Sequence, residues 1–110
     1  MANTFKRKIS RNLNGATTIG NYSVPANTEV TVIGLTIANT QTSAITASVY
    51  LFPSSGLQYY IVKDATIPAG GTLVVVGGDQ KLVMEPSDQI YVLPSVGNSC
   101  DVIMSILEIT

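Results

Sequence analysis

Histidine and tryptophan are absent from this sequence of 110 residues, and cysteine occurs once, at Cys100. Without histidine the chain cannot build a Ser/His/Asp or Cys/His nucleophilic arrangement, and histidine-based metal sites are excluded. A single cysteine can form neither an internal disulfide nor a thiolate zinc site, so the fold has to rest on its hydrophobic core. We therefore expect a protein that is not an enzyme and uses no metal ion or cofactor.

Charged residues are scarce, and long apolar runs are missing. Only 12% of the residues are charged and 45% are hydrophobic, whereas about 25–35% of a free domain's surface is usually charged. This deficit predicts extensive burial against partner molecules. The basic opening lacks the apolar segment of a secretory signal, and no run approaches the roughly 20 apolar residues of a membrane helix. We expect a chain made in the cytoplasm without a membrane anchor.

The few charges are unevenly distributed. Four basic residues precede every acidic one, while the rest of the chain has two lysines and seven acids. This asymmetry predicts a basic N-terminal arm or edge strand, residues 1–13, that docks on the acidic body of a neighbouring subunit; a solvated strand face is the alternative. So few basic residues would make only weak, salt-dependent contacts with phosphates, so a nucleic-acid partner is not expected.

Strand and turn patterns fill the rest of the chain. Residues 44–52 alternate between apolar and polar positions, which predicts a half-buried strand. Residues 28–39 change parity at Ile33 and Gly34, which predicts a β-bulge unless both faces are buried. Turn signals at spacings of about 8 to 12 residues separate seven or eight short strands. The sequence therefore predicts an all-β fold, a single antiparallel β-sandwich of immunoglobulin-like or jelly-roll-like type over residues 14–110.

Residues 67–90 are central to this prediction. A corner at Pro68 leads into an apolar run, and the Gly77-Gly78-Asp79 turn is expected to send the chain back. A second corner at Pro86 starts the next strand, so the stretch is predicted to be a β-meander. The apolar-Pro-Ala pattern of Pro68 also occurs at Pro25, and we interpret these prolines as recurring corners of the sandwich.

The last predicted strand, residues 100–110, is apolar on both faces. Such a strand is either central in a sandwich or half covered by a neighbouring subunit. We expect the sandwich to self-associate through a face of this strand. Together with the basic arm it gives a predicted interaction set that consists of Phe5, Lys6, Arg7, Lys8, Arg11, Val102, Met104 and Ile106.

Two groups of acidic and glycine residues have weaker chemical interpretations. The Gly77-Gly78-Asp79 turn lacks the Lys-Ser/Thr that completes a phosphate-binding loop, so a simple turn is favoured. Asp79, Glu85 and Asp88 could hold Ca²⁺ or act as a glycosidase pair. Acids at strand ends are usually solvated, and we predict no catalytic or metal-binding residue among them.

Four tyrosines form the remaining candidate group: Tyr50, Tyr59, Tyr60 and Tyr91. They could provide an aromatic platform for sugars or single-stranded nucleic acid. Basic residues are not interleaved with them, so cross-strand packing or a subunit interface is the favoured interpretation.

Three segments resemble a set of small virion proteins encoded by tailed phages of cyanobacteria and marine bacteria: the opening Met-Ala-Asn-Thr-Phe-Lys, residues 32–39 and residues 67–88. The resemblance implies a structural component of the particle, either a capsid decoration (cement) protein or a part of the neck or tail. It also implies a location in the virion, assembly in the cytoplasm of the bacterial host, and the major capsid protein or other virion proteins as partners. We expect a homo-oligomer, with a trimer favoured, and retain a carbohydrate-binding module of a fibre as a further alternative.

Overall fold

Antiparallel strands make up most of the structure. The computed structural model of the protein describes residues 3–110; Met1 and Ala2, the first two residues of the predicted arm, lie outside the described residues. The strands, in chain order, are β1 Asn3–Ser10, β2 Thr17–Thr18, β3 Glu29–Asn39, β4 Ile45–Phe52, β5 Tyr59–Ile67, β6 Thr72–Val76, β7 Leu82–Met84, β8 Gln89–Pro94 and β9 Cys100–Ile109, with a short 3-10 turn at Ile19–Asn21. None of the described residues forms a helix long and apolar enough to cross a membrane.

The strands form two sheets that pack face to face. The front sheet has the order β1-β9-β3-β6, with β7 also paired to β3, and the back sheet has the order β2-β8-β4-β5. Apart from β4 and β5, which form a hairpin, and β6 and β7, which lie on one edge, consecutive strands alternate between the sheets. This order is that of a jelly roll. The predicted all-β sandwich is confirmed, and the strand order favours the jelly-roll type over the immunoglobulin type.

The core lies between the sheets and is filled by alternate residues of each strand. Val32, Leu35 and Ile37 of β3 and Val49 of β4 are completely buried, and Val92 of β8 joins them. Because side chains alternate along a strand, the other half of each strand faces outward. The core therefore fixes which residues are available at the two outer faces of the sandwich.

The predicted β-bulge in β3 is confirmed. The register with β9 shifts between Val32 and Gly34, so that Ile33 is an extra residue on β3. The bulge resolves the parity change in the sequence, because Val32 and Leu35 both face the core although they are three positions apart.

The predicted meander over residues 67–90 is wrong. Strands β6 and β7 both pair antiparallel with β3, β6 along residues 35–38 and β7 along residues 30–32. They therefore run in the same direction along one edge, and the Gly77-Gly78-Asp79 turn does not reverse the chain. Residues 77–81 form a loop that steps out and rejoins the same edge beside the β3 bulge. A glycine turn indicates a local change of direction, whereas pairing to β3 decides where the chain goes next.

The proline corners occur where the chain crosses between sheets. The Gly71 amide donates to the Pro68 carbonyl (2.9 Å) before β6, and the Asp88 amide donates to the Glu85 carbonyl (3.0 Å) before β8. Each corner contains a residue with positive φ, namely Gly70 (67°) and Ser87 (75°), and Asn27 (59°) has the same role after Pro25. The interpretation of these prolines as sandwich corners is confirmed.

Candidate interaction surfaces

The three β9 residues of the predicted interaction set do not reach the surface. Val102, Met104 and Ile106 are 0%, 1% and 0% exposed and form part of the core. Strand β9 is central in the front sheet, between β1 and β3, and this parity faces the back sheet. The prediction that these side chains contact a partner is therefore corrected, and only the opposite parity of β9 is open to one.

The outward parity of the front sheet forms what we call the apolar face. It has two rows of side chains, each crossing four strands in register. The first row is Phe5, Leu107, Thr31 and Val83, and the second row is Ile9, Ile103, Thr36 and Val74. The outermost side chains are strongly exposed, with values of 74% for Phe5, 63% for Val83 and 62% for Val74. Exposed apolar side chains concentrated on one sheet face mark a candidate interface.

A polar row separates the two apolar rows. Arg7 lies opposite Ser105 of β9, which in turn lies opposite Gly34 of β3. Beyond Gly34, the edge between Val76 and Leu82 is occupied by residues 77–81. The middle of the apolar face thus has an exposed guanidinium at one edge and the loop containing Asp79 at the other.

Two predicted arm residues act within their own subunit. Lys6 and Lys8 have the inward parity of β1, opposite Ile106 and Met104. The Lys6 ammonium lies 2.9 Å from the buried Glu108 carboxylate, and the Lys8 ammonium lies 4.7 Å from the centre of the Tyr22 ring. Residues 3–10 are therefore a strand of the sandwich itself, paired along its length with β9.

Glu108 is the centre of a small polar cluster at this end of the sandwich. Its carboxylate accepts a hydrogen bond from the Tyr22 hydroxyl and forms the ion pair with Lys6. The Tyr22 hydrogen bond, assisted by Lys6, lowers the pKa of Glu108 despite burial. Burial, followed by the hydrogen bond and negative charge of Glu108, raises the pKa of Tyr22. The cluster holds β1, β9 and the segment before β3 together.

Three of the four tyrosines form a ladder on the outer face of the back sheet. The Tyr50 and Tyr91 rings stack with centroids 5.3 Å apart, and Tyr60 packs edge-on against Tyr50 at 5.5 Å. The Lys63 ammonium lies 5.4 Å from the centre of the Tyr60 ring. Ring faces are thus used in contacts within the protein, as the cross-strand interpretation predicts. Tyr59, on the opposite parity of β5, is not among these ring contacts.

The acidic residues are dispersed. Asp88 is buried in the Pro86 corner, where its carboxylate accepts the Glu85 amide at 2.9 Å, while Asp79 and Glu85 are exposed. Among residues 3–110, no three acidic or cysteine side chains come together as a metal site would require. Cys100 is fully buried, and this burial raises the pKa of its thiol.

The sequence interpretation missed Val74 and Val83 as surface residues. Both lie in apolar runs that suggest core strands, and only their pairing with Thr36 and Thr31 places them outward. The sequence does indicate a role for Ile103, because the last strand is apolar on both faces, and an apolar outer face is expected to be covered by a partner.

Comparison with known proteins adds information on the fold. No protein-family model and no curated protein matches this sequence. Solved structures with a similar fold include a subunit described under Bacillus endospore appendages, which form disulfide-linked pili (TM-score 0.60, 10% identity, covering 99% of this chain and 87% of that one). Another is the Drosophila NLP-core, described for pentamer formation and histone binding (0.53, 14% identity, 97% and 99%). A third is a chain of the acid-stable capsid of Helicobacter pylori bacteriophage KHP30 (0.50, 10% identity, 98% and 87%). At these identities the likeness shows the fold, which is shared with capsid and pilus proteins.

Proposed function

We propose that this protein is a non-enzymatic structural subunit of a phage virion that decorates the capsid and stabilises the head as a cement protein. The observation that supports the proposal best is the apolar face, a surface of regular strands with two exposed apolar rows, as protein interfaces have. The similar fold of a phage capsid chain and of a pilus subunit is consistent with this role.

The five basic-arm residues of the predicted interaction set divide into two groups in this proposal. Phe5 and Arg7 lie on the apolar face and contact a neighbouring subunit, and Arg11, exposed just beyond β1, contacts the acidic surface of the same neighbour. Lys6 and Lys8 contribute indirectly, because they hold β1 on the sandwich through Glu108 and Tyr22. The neighbour is a virion protein, either the major capsid protein or another copy of this chain.

The proposal is tested by incorporation into particles. Virions from a host expressing either the wild-type chain or Arg7→Glu are purified, and the chain is quantified relative to the major capsid protein. We expect hundreds of wild-type copies and a strong loss for Arg7→Glu. Lys63→Glu, on the back sheet, is the matched charge control and should be incorporated normally. Particles that lack the chain should release their genome at a lower temperature than complete ones, and unchanged release would contradict a cement role.

A neck or tail position is the second candidate, and it is distinguished by the same measurement. Neck and tail components form rings of few subunits. A ring-sized copy number would favour this alternative over capsid decoration. In either case the protein contributes contacts between subunits and no chemistry.

A further inference from the structure

The apolar face has a pattern that indicates its occupant. Its two apolar rows lie at different heights along the strands, and the row with Arg7 lies between them. Each row has a large side chain at the β1 edge of the sheet and a valine at the opposite edge. The first row begins with Phe5 and ends with Val83, and the second begins with Ile9 and ends with Val74. The face is therefore nearly self-complementary when one edge is placed over the other.

We propose that the apolar face packs against the same face of a second copy of this chain, about a two-fold axis parallel to the strands. This axis exchanges the two edges of the sheet and keeps every row at its own height. Phe5 then faces Val83 of the second copy, and Ile9 faces Val74 of the second copy. Sheets that pack face to face align their strands within about 30°, which agrees with this arrangement.

Charge distinguishes this axis from the other two-fold arrangement. An axis across the strands would also place apolar rows on apolar rows, Phe5 over Ile9, but it would bring Arg7 against Arg7 of the second copy. Like charges in such a position are destabilising. The axis parallel to the strands places Arg7 over residues 77–81 of the second copy, where Asp79 provides the opposite charge. Lys81 in the same loop keeps its positive charge, but its ammonium donates to the Gly78 carbonyl of its own loop.

The size of the face sets the expected affinity. Four strands about 4.8 Å apart and eight residues rising about 3.3 Å each give a face of roughly 500 Å² per copy. Two such faces bury about 1,000 Å², which is at the lower limit for a specific interface. A shallow cleft of about 260 Å³ beside Ile9 and Ile103 offers space for Val74 of the second copy. We expect a reversible dimer in the micromolar range.

Cross-linking tests the orientation. Single variants Phe5→Cys and Val83→Cys are purified with different size tags, mixed, and treated with a short bismaleimide cross-linker, since packed sheets lie about 10 Å apart. We expect a mixed-size product from this pair and little from either variant alone. A mixture of Phe5→Cys with Ile9→Cys tests the rejected axis, and a product there instead would overturn the proposal. The buried Cys100 makes wild type the unreactive control.

Charge exchange tests the contact between Arg7 and Asp79. Arg7→Asp and Asp79→Arg should each raise the dissociation constant of the dimer about tenfold, because each dimer contains two such pairs. The double variant Arg7→Asp/Asp79→Arg should recover most of the affinity. Sedimentation velocity measures the dissociation constants. Lys63→Asp should leave the affinity unchanged. Circular dichroism of every variant checks that the fold is retained. A monomer at all concentrations, or the trimer that the sequence favours, would overturn the two-fold arrangement.

The inference extends the proposed function. It depends on one part of that function, namely that the apolar face is used in assembly. Its experiments use the purified protein, and the incorporation experiment uses particles. A dimer that is absent from virions would leave the inference standing and overturn the proposed function. Incorporation that depends on Arg7 without any dimer would do the reverse and would identify a different virion protein as the occupant of the face.

Discussion

Asn39 is a buried residue that fastens the end of β3 to the end of β5. Its side-chain amide nitrogen lies 2.9 Å from the Ser43 carbonyl and 3.1 Å from those of Ile67 and Pro68, and its oxygen accepts the Gln41 amide at 2.8 Å. Since β3 and β5 belong to different sheets, this one side chain joins the two sheets at a corner of the sandwich. Its contribution is therefore to the geometry of the corner as well as to stability.

We predict that Asn39→Ala lowers the free energy of unfolding by about 2–3 kcal/mol, because it removes the donor to the buried Ile67 carbonyl and the acceptor of the Gln41 amide. Urea titration of both proteins measures the difference. Gln41→Ala is the control: its side chain makes one exposed hydrogen bond to the Asn98 carbonyl at 3.0 Å, so its loss should cost less than about 1 kcal/mol. Equal effects of the two substitutions would contradict the role of Asn39.

Glu108 gives the protein a defined sensitivity to acid. Its pKa is lowered in the folded state by the Tyr22 hydrogen bond and by Lys6. A lowered pKa means that the stabilising contribution is complete above the usual pKa of a glutamate and is lost as the pH falls through the folded value. The contribution should therefore disappear only in strongly acidic solution.

We predict that Glu108→Gln is less stable than wild type by about 1–2 kcal/mol at neutral pH, because hydrogen bonds to the charged group are lost. The difference should shrink as the pH falls from neutral into the acidic range, since protonated Glu108 resembles glutamine. Thermal unfolding across this range provides the measurement. The exposed Glu85→Gln variant is the control and should have the stability of wild type at neutral pH. A loss of stability in Glu108→Gln that persists in acid would count against the cluster as its source.

At the scale of the elements, the corners set the points where the chain changes sheets. Gly70 has φ of 67° in the corner before β6, and a methyl group added there would meet no atom within 4 Å. Any cost of a substitution at Gly70 is therefore a cost of backbone conformation and not of crowding. Ser87, with φ of 75° in the corner before β8, adopts a similar conformation with a side chain that disfavours it.

We predict opposite effects at these two corners. Gly70→Ala should lower the unfolding free energy by about 1 kcal/mol, because alanine disfavours positive φ. Ser87→Gly should raise it by about 0.5 kcal/mol, since relief of the backbone outweighs the added freedom of the unfolded chain. Chemical denaturation of both variants tests the pair, and destabilisation by Ser87→Gly would show that the corner depends on the serine side chain.

The same elements show what could be predicted from the sequence. The β3 bulge was predictable because a parity change within one strand has a local signature. The orientation of β9 could not be predicted, because the side chains on both of its faces are mostly apolar. The inward face even ends in a charged residue, Glu108. Lys6 and Lys8 similarly occupy inward positions that a charge pattern assigns to solvent. In each case the side chain faces inward because of residues distant in sequence, such as Tyr22.

The path of residues 77–81 illustrates the same limit. Two glycines and an aspartate indicate a turn, and a turn between apolar runs usually makes a hairpin. Here β3 is long enough to pair with both runs on one edge, so the turn becomes a loop between collinear strands. That geometry brings the loop with Asp79 to the level of Arg7 along the strands. No local pattern in the sequence could have placed the two at opposite edges of the front sheet.

At the scale of the whole molecule, the topology joins the two ends of the chain. The first strand, β1, pairs only with β9 among the described residues, and β9 is the last strand. The front sheet therefore cannot close until residues 100–109 are present. Pairing of such distant segments is slow, because the entropy of closing a long loop is lost before the contacts form.

We predict that a chain ending at Asn98 does not fold, because it lacks the central front strand with the buried side chains of Val102, Met104 and Ile106. Its circular dichroism should be that of an unfolded chain without a cooperative thermal transition. A peptide of residues 99–110 added in trans should restore strand signal and a melting transition, since a missing strand can be supplied by another chain.

Peptides with Met104→Ser and Ile103→Ser separate the two faces of β9. The inward substitution should abolish the rescue, whereas the outward one, which touches only the apolar face, should permit folding. A folded truncated chain, or equal failure of both peptides, would contradict the inward orientation of β9 on which the apolar face depends.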